Sequence, residues 1–139
     1  MVDIAAACTE AGADGLSMIN TLLGLTVDTE TMRPHLAGTT GGLSGPAIRP
    51  VAVRCVYQVY AAMRAGAVRQ VPILGMGGIT SGRDALEFVL AGASGVALGT
   101  VLFNDPGAPL RVLDELESAL AARDFTSLQQ AIGRAHPTN

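Results

Sequence analysis

The tripeptide Ala-Gly-Ala occurs three times in this chain, and each copy stands shortly before a largely apolar run. The copies begin at residues 11, 65 and 91, and the runs are GLSMIN, VPILGM and GVALG, at 15–20, 71–76 and 95–99. Nearly continuous apolar strands are typical of a parallel sheet covered on both faces. The repeat therefore predicts an α/β fold in which buried strands alternate with helices.

Helical spacing of apolar residues fills the segments between and after these runs. The expected boundaries are Gly12 for the end of the first helix, Pro50 and Gly66 for the second, and Thr80 or Ser81 and Gly92 for the third. A fourth helix carries leucines at 110, 113, 116 and 120, and Thr126 with Gln129 predicts a capping box for a short fifth helix. This alternation fits either a doubly wound sheet or a (β/α)8 barrel.

The residues that follow the strands favour the barrel. The second strand leads into Gly75-Met-Gly-Gly78, and the third leads into Gly99-Thr100. Glycine and small polar residues after consecutive strands match the phosphate site that barrels form after strands seven and eight. A doubly wound sheet would carry G-x-G-x-x-G after its first strand, and the glycines here are too closely spaced for that pattern.

A further glycine-rich stretch, TTGGLSGPAIRP at Thr39–Pro50, directly precedes the second helix. Glycine allows a ligand to approach the backbone closely, and a helix start offers unpaired N–H groups to an anion. An ordinary glycine-rich turn is the alternative interpretation. Together with the strand ends, the stretch predicts that Gly41, Gly42 and Gly45 belong to the same anion-binding face.

Composition excludes several other classes of function. The chain has 139 residues, 49% of them hydrophobic, which suits one globular domain, and its net charge of −3 gives no reason to expect a nucleic-acid or membrane partner. No signal peptide or membrane span is visible, and only Cys8 and Cys55 occur, so a reducing cytoplasm is expected. Both cysteines fall on apolar helix faces and are expected in the core. No metal site is predicted.

The blocks INTLLGLTVDTET, TGGLSGPAIRPVAVRCVYQVY and VPILGMGGITSGRDALEFVLAGASGVALGT resemble the dihydroorotate dehydrogenase family, most closely its NAD-linked class 1B branch. The resemblance covers essentially the whole chain, 1–139. It implies a flavoenzyme of pyrimidine (UMP) synthesis that oxidises dihydroorotate to orotate on FMN. It also places the chain as the C-terminal part, about the last three β/α units, of a (β/α)8 barrel, since a complete barrel needs about 250 residues.

The resemblance implies a role for individual residues. Ile19 would line the flavin, Asn20 and Thr21 would hold the substrate ring, and the FMN would be held by Gly45, Gly77, Gly78, Gly99 and Thr100. The chemistry agrees, because a carboxamide and a hydroxyl match the donors and acceptors of a pyrimidine. At Gly77 and Gly78 a side chain would keep a phosphate from the backbone N–H groups. Polar capping at a strand end is the alternative interpretation of Asn20 and Thr21.

No residue of this chain is assigned as catalytic, because the resemblance places the family's base and its flavin-binding lysine in an earlier part of the barrel. The NAD-linked branch also implies an electron-transfer subunit that carries FAD and an iron–sulfur cluster, joined to a homodimer. Two alternatives remain. One is a non-catalytic, phosphate-binding half-barrel, and the other is a fragment of an enzyme similar to dihydropyrimidine dehydrogenase.

Three further expectations concern parts of the chain outside the predicted site. Residues 22–40 are predicted to form either a hairpin flap over the barrel mouth or a subunit contact. His35 and His136 are expected to be solvated. The barrel-interior side chains, expected to lack packing partners in this chain, are Leu16, Met18, Ile73, Met76, Val96 and Leu98 or their strand neighbours.

Overall fold

The computed structural model of this chain describes residues 1–137. In chain order its elements are α1 (Val2–Glu10), β1 (Leu16–Met18), β2 (Leu22–Gly24), β3 (Val27–Asp28), β4 (Arg33–Pro34), β5 (Gly41–Leu43), α2 (Arg49–Arg64), β6 (Ile73–Met76), α3 (Gly82–Ala91), β7 (Gly95–Ala97), α4 (Ala108–Ala121) and α5 (Leu128–Ala131). Short 3-10 turns occupy Pro46–Ile48 and Thr100–Phe103. The elements follow the predicted alternation.

The three apolar runs form one parallel sheet in the order β1-β6-β7. Leu16 lies opposite Ile73 in the first pair of strands, and Leu74 lies opposite Gly95 in the second. Parallel strands need a crossover connection, and here helices lie between them in the chain. The α/β class predicted from the repeat is therefore confirmed. The position of these strands within a complete barrel stays a prediction.

One face of the sheet packs against the helices and forms the core. Phe88 of α3 is fully buried, and a Cβ atom at Gly75 would lie 2.7 Å from its ring, so β6 approaches α3 too closely for any side chain there. Val56 and Val59 of α2 and Val89 of α3 are also fully buried. Because these helices cover only one face, the opposite face of the sheet remains open within the described chain.

The side chains on the barrel-interior face were expected to be the named strand residues or their neighbours, and at most positions the neighbours are the ones that lie there. Met18 and Ile73 are buried in the helix-side core, and Leu16, Val96 and Leu98 pack against that core. Leu74, 41% exposed, stands on the opposite face. On this face Ser17 also approaches Met76, which is itself one of the named residues. Since side chains alternate along a strand, a shift of one residue reverses the face.

Residues 22–43 leave the sheet and form two antiparallel pairs of strands, β2 with β5 and β3 with β4. The predicted hairpin in this segment is therefore confirmed, whereas its role as a flap or a subunit contact stays a prediction. Leu23 and Met32 are 81% and 83% exposed on it. The hairpin brings Gly42 so close to Thr21 that a Cβ atom would overlap the threonine hydroxyl.

Three local expectations were wrong. His136 is buried rather than solvated, because its ring stacks on Tyr57 at 3.9 Å and its Nε2 lies 2.9 Å from the Ala91 carbonyl oxygen. Cys8 is exposed, whereas Cys55 is buried as expected. In the last short helix the glutamine that contacts Thr126 is Gln130, four residues on, rather than Gln129.

Candidate functional site

A cleft of about 380 Å³ opens where β1, β6 and β7 end. All of the residues that the resemblance assigns to a site line it: Ile19, Asn20, Thr21, Gly45, Gly77, Gly78, Gly99 and Thr100. Gly41 and Gly42, expected on the same anion-binding face, do not line it, because they pair with β2 as part of β5. They come from the three segments that follow the strands and from the glycine-rich loop before α2. Ligands of parallel α/β folds bind at the carboxyl ends of strands, which is where this cleft lies.

The segment after β1 supplies the polar end of the cleft. Ile19 is 8% exposed and donates its backbone N–H to the Met76 carbonyl oxygen at 3.1 Å, so this segment is tied to the end of β6. The Asn20 side-chain oxygen accepts the Thr21 backbone N–H at 2.8 Å. Both side chains of this polar pair are exposed at the cleft, and β2 follows them rather than a helix. Asn20 therefore fixes its carboxamide locally but caps no helix.

The two glycines after β6 adopt positive φ angles, +133° at Gly77 and +76° at Gly78. A Cβ atom at Gly78 would lie 2.5 Å from the Gly45 carbonyl oxygen, and one at Gly77 would lie 2.8 Å from the Ala52 side chain. Sequence reasoning attributed these glycines to the approach of a phosphate. The structure gives a different reason, because they allow the loop after β6 to pack against the loop before α2.

Gly99 has the opposite surroundings. A Cβ atom there would meet nothing within 4 Å. Beside it lies a second cavity of about 160 Å³, whose lining includes Gly45, Gly78, Gly99 and Thr100. The N–H groups of Gly78 and Thr100 donate to no acceptor within residues 1–137. This end of the cleft can therefore accept an anion through backbone donors.

The lining of the main cleft has no ionisable side chain among the described residues. Its polar groups are the Asn20 carboxamide and the hydroxyls of Ser17, Thr21, Ser44 and Thr100. Such a lining can bind and orient a ligand, but none of these groups acts as a base at neutral pH without a neighbouring base. No group of three or more metal-ligating His, Cys, Asp or Glu side chains occurs within residues 1–137.

The loop after β6 is held from behind by Asp84, the third residue of α3. One of its carboxylate oxygens accepts the backbone N–H and hydroxyl of Thr80 at 2.9 and 2.8 Å and the Ser81 N–H at 3.0 Å. Burial opposes ionisation of this carboxyl, but the Thr80 and Ser81 hydrogen bonds and the Arg49 charge outweigh it and hold its pKa below the usual value. Ser81 is the N-cap, as predicted.

Sequence reasoning missed several of the residues involved. Ser17, Ser44, Ile48 and Met76 also line the cleft. Ser17 and Met76 could have been found from the sequence, because both lie at or near the ends of predicted strands. Asp84 was also missed, although Ser-x-x-Asp is a capping-box spacing that places the acidic group over the loop.

Within the described chain, no helix has the length and apolar character needed to cross a membrane.

Comparison with known proteins gives one consistent result. The family described as "Dihydroorotate dehydrogenase" matches residues 1–120. The chain is 52% identical over 133 residues to the catalytic subunit of dihydroorotate dehydrogenase B (NAD(+)) from Geobacter sp. (strain M21), and 50% identical over 135 residues to that of Bacillus pumilus (strain SAFR-032). It is covered to 96% and 97%, and it spans 42% of the length of each relative.

A solved structure agrees with these sequence matches. The structure titled as DHODH of Eimeria tenella in complex with ferulenol aligns with a TM-score of 0.79 and 35% sequence identity. The alignment covers 99% of this chain and 35% of that one.

Proposed function

Since the chain belongs to the dihydroorotate dehydrogenase family, we propose that it works in the flavin-dependent oxidation of dihydroorotate to orotate, a step of pyrimidine biosynthesis. The observation that carries the proposal is that the predicted site residues come together in space. Residues that the resemblance assigns to flavin and substrate lie far apart in the sequence, between 19 and 100, and all line one cleft. The chain spans 42% of its relatives' length, so the proposal concerns its share of such an enzyme.

Several features of the cleft support FMN as its ligand. The smaller cavity beside Gly78 and Gly99 would take the phosphate, held by backbone N–H groups and the Thr100 hydroxyl. Gly45 and Gly77 would border the chain that joins phosphate to flavin, and Ile19 would contact the ring. When bound, FMN supplies the two-electron acceptor chemistry, and the protein supplies position and environment.

Asn20 and Thr21 would hold the pyrimidine ring of the substrate. Their side chains stand together at the cleft after β1, and the Asn20 oxygen is occupied by the Thr21 backbone N–H. That bond directs the carboxamide so that its NH2 group serves as the donor toward a ligand carbonyl. The Thr21 hydroxyl can donate or accept. The pair thus binds and orients the substrate but removes no proton from it.

The proton acceptor and the final oxidant would come from elsewhere. None of the described side chains that line the cleft is ionisable, which agrees with a base supplied by another part of the barrel. The relatives are named catalytic subunits of an NAD(+) enzyme, so we propose a second subunit that carries FAD and an iron–sulfur cluster and receives the electrons. We further propose that the enzyme is a homodimer of such pairs in the cytoplasm.

Flavin titration of the full chain tests the proposal. FMN and riboflavin share the ring, and only FMN carries the phosphate, so fluorescence quenching is measured with both. The proposal predicts that FMN binds more tightly than riboflavin and that dihydroorotate perturbs the spectrum of bound FMN. Binding of inorganic phosphate without flavin would instead support the phosphate-binding half-barrel. Equal affinity for the two flavins, or none for either, would contradict an FMN site.

A further inference from the structure

Two loops meet at the phosphate end of the cleft, and one ion pair joins them from behind. We propose that Arg49 and Asp84 form a positioning pair, the loop clasp, which holds the Gly45 loop and the Gly77-Gly78 loop at a fixed spacing. The effect on ligands rests on the FMN site proposed above. The clasp itself is a property of this chain alone.

The Asp84 carboxylate divides its two oxygens between the loops. Oδ2 accepts all three hydrogen bonds from Thr80 and Ser81, which follow the Gly77-Gly78 loop after Ile79. Oδ1 pairs with Arg49 Nη1 at 2.6 Å. One carboxylate therefore binds the loop after β6 with one oxygen and the start of α2 with the other.

Arg49 links the Asp84 carboxylate to the Gly45 loop. It is the first residue of α2 and follows the 3-10 turn Pro46–Ile48 directly. The Ile48 N–H donates to the Gly45 carbonyl oxygen at 3.1 Å, so the turn and the glycine are one hydrogen-bonded unit. On the cleft side the same carbonyl oxygen is the atom that a Cβ at Gly78 would meet. The loops thus touch at their glycines and are clasped behind them.

The surroundings of the pair distinguish it from an ordinary surface ion pair. The side chains of Asp84 and Arg49 are 10% and 29% exposed, so solvent screens their interaction less than it screens the Arg49–Glu87 contact at 3.3 Å, where the Glu87 side chain is 51% exposed. Neither Arg49 nor Asp84 lines the cleft. Any effect on a ligand must therefore act through the spacing of the loops.

Loss of the loop clasp should affect the binding of a phosphate more than the binding of a flavin ring. Backbone donors bind an anion well only when they are held at the correct separation before it arrives. Loosening the clasp should weaken the contact to a phosphate. The same change should leave contacts to a flavin ring near Ile19 in place, because the Ile19 segment is tied to Met76 instead.

The first test compares FMN with riboflavin in variants of the full chain. Arg49→Met removes the clasp but leaves the Asp84 cap intact, and Asp84→Asn weakens it from the other side. We expect each to lower FMN affinity by about tenfold, the scale of one charged hydrogen bond, with riboflavin affinity unchanged. Glu87→Gln is the matched control. Arg49→Lys keeps the positive charge and should therefore retain most of the FMN affinity that Arg49→Met loses. Equal losses for both flavins would contradict a positioning role.

The second test needs no flavin. Amide hydrogen exchange by mass spectrometry should show faster exchange in Arg49→Met both at 45–48 and at 77–81, and no change in Glu87→Gln. Faster exchange at 45–48 alone would show that Arg49 supports only its own loop and would overturn the clasp. If the unmodified chain binds no FMN, the proposed function fails, while coupled exchange of the two loops still decides the clasp.

Discussion

The glycines of the cleft do two different things. Gly78 is needed because the Gly45 backbone lies against it, whereas Gly99 faces open space within the cleft. Gly99→Ala should therefore place a methyl group in the space proposed for the ligand. We expect it to weaken FMN binding by about 1–3 kcal/mol, the usual cost of overfilling a packed site. Fluorescence titration measures the loss, and thermal unfolding without flavin checks the fold.

Gly107→Ala is the control for this change. Gly107 has a φ angle of −82° and lies outside the cleft, and its added methyl group would be 3.4 Å from an Asp105 oxygen, an ordinary contact. It should alter neither stability nor FMN affinity. Unchanged FMN affinity in Gly99→Ala would mean that the ligand does not enter the space beside residue 99.

The Asp84 carboxyl makes the stability of the chain depend on pH. Its pKa in the folded chain lies below the usual value, so its stabilising contribution is complete at neutral pH and is lost as the pH falls from about 5 through the folded pKa. Asp84→Asn should therefore lower the melting temperature most at pH 7, and the difference from the unmodified chain should shrink toward pH 3. Thermal unfolding across this range measures it. A difference that is constant with pH would show that ionised Asp84 contributes nothing specific.

At the scale of elements, α3 and α4 come into close backbone contact at Gly82. A Cβ atom on this first residue of α3 would overlap the backbone of Glu115 and Leu116 in α4, and the Gly82 N–H donates to a Glu115 carboxylate oxygen at 2.7 Å. Gly82→Ala should force the helices apart and lower the free energy of unfolding by about 2 kcal/mol or more. Urea denaturation measures this, with Gly107→Ala as the reference. A loss below about 0.5 kcal/mol would mean that α4 shifts freely.

The sequence predicted the order of these elements, but it left open which of their side chains face the helices. Repeats ending in glycine located β1, β6 and β7, because strong apolar runs and glycine caps are local signals. Ile73 and Leu74 are both apolar, so nothing in their identity shows that the first faces α3 and the second faces away. His136 was misjudged for a related reason, since its partners Tyr57 and Ala91 lie far away in the chain.

The residues that line the candidate site could be predicted from the sequence, whereas the ion pair behind its loops could not. Glycine and polar residues at strand ends, together with the family resemblance, identified residues that prove to line one cleft, from Ile19 to Thr100. The pairing of Arg49 with Asp84 joins positions 35 residues apart in the sequence on separate helices. No local pattern encodes such a contact, because it depends on how α2 and α3 pack.

For the whole molecule, the exposed face of the sheet is the most consequential feature. β1 and β7 each pair with one neighbour within residues 1–137, and Leu74 stands 41% exposed beside a hollow of about 400 Å³. Unpaired edges and an apolar face favour association. The chain should sediment as concentration-dependent oligomers, and Leu74→Gln should reduce them. Leu110→Gln, at a 73% exposed position on α4, is the control, and equal effects of both changes would contradict an association through the sheet.

We propose that this chain provides the FMN and substrate cleft of a dihydroorotate-oxidising enzyme whose base lies outside that cleft. The most direct measurement is orotate formation from dihydroorotate with excess FMN and a dye as electron acceptor. The chain is assayed alone and together with the part of the Geobacter catalytic subunit that it does not match. We expect no turnover by the chain alone and turnover by the combination, abolished when FMN is omitted. Turnover by the chain alone, or none by a combination that binds FMN, would contradict it.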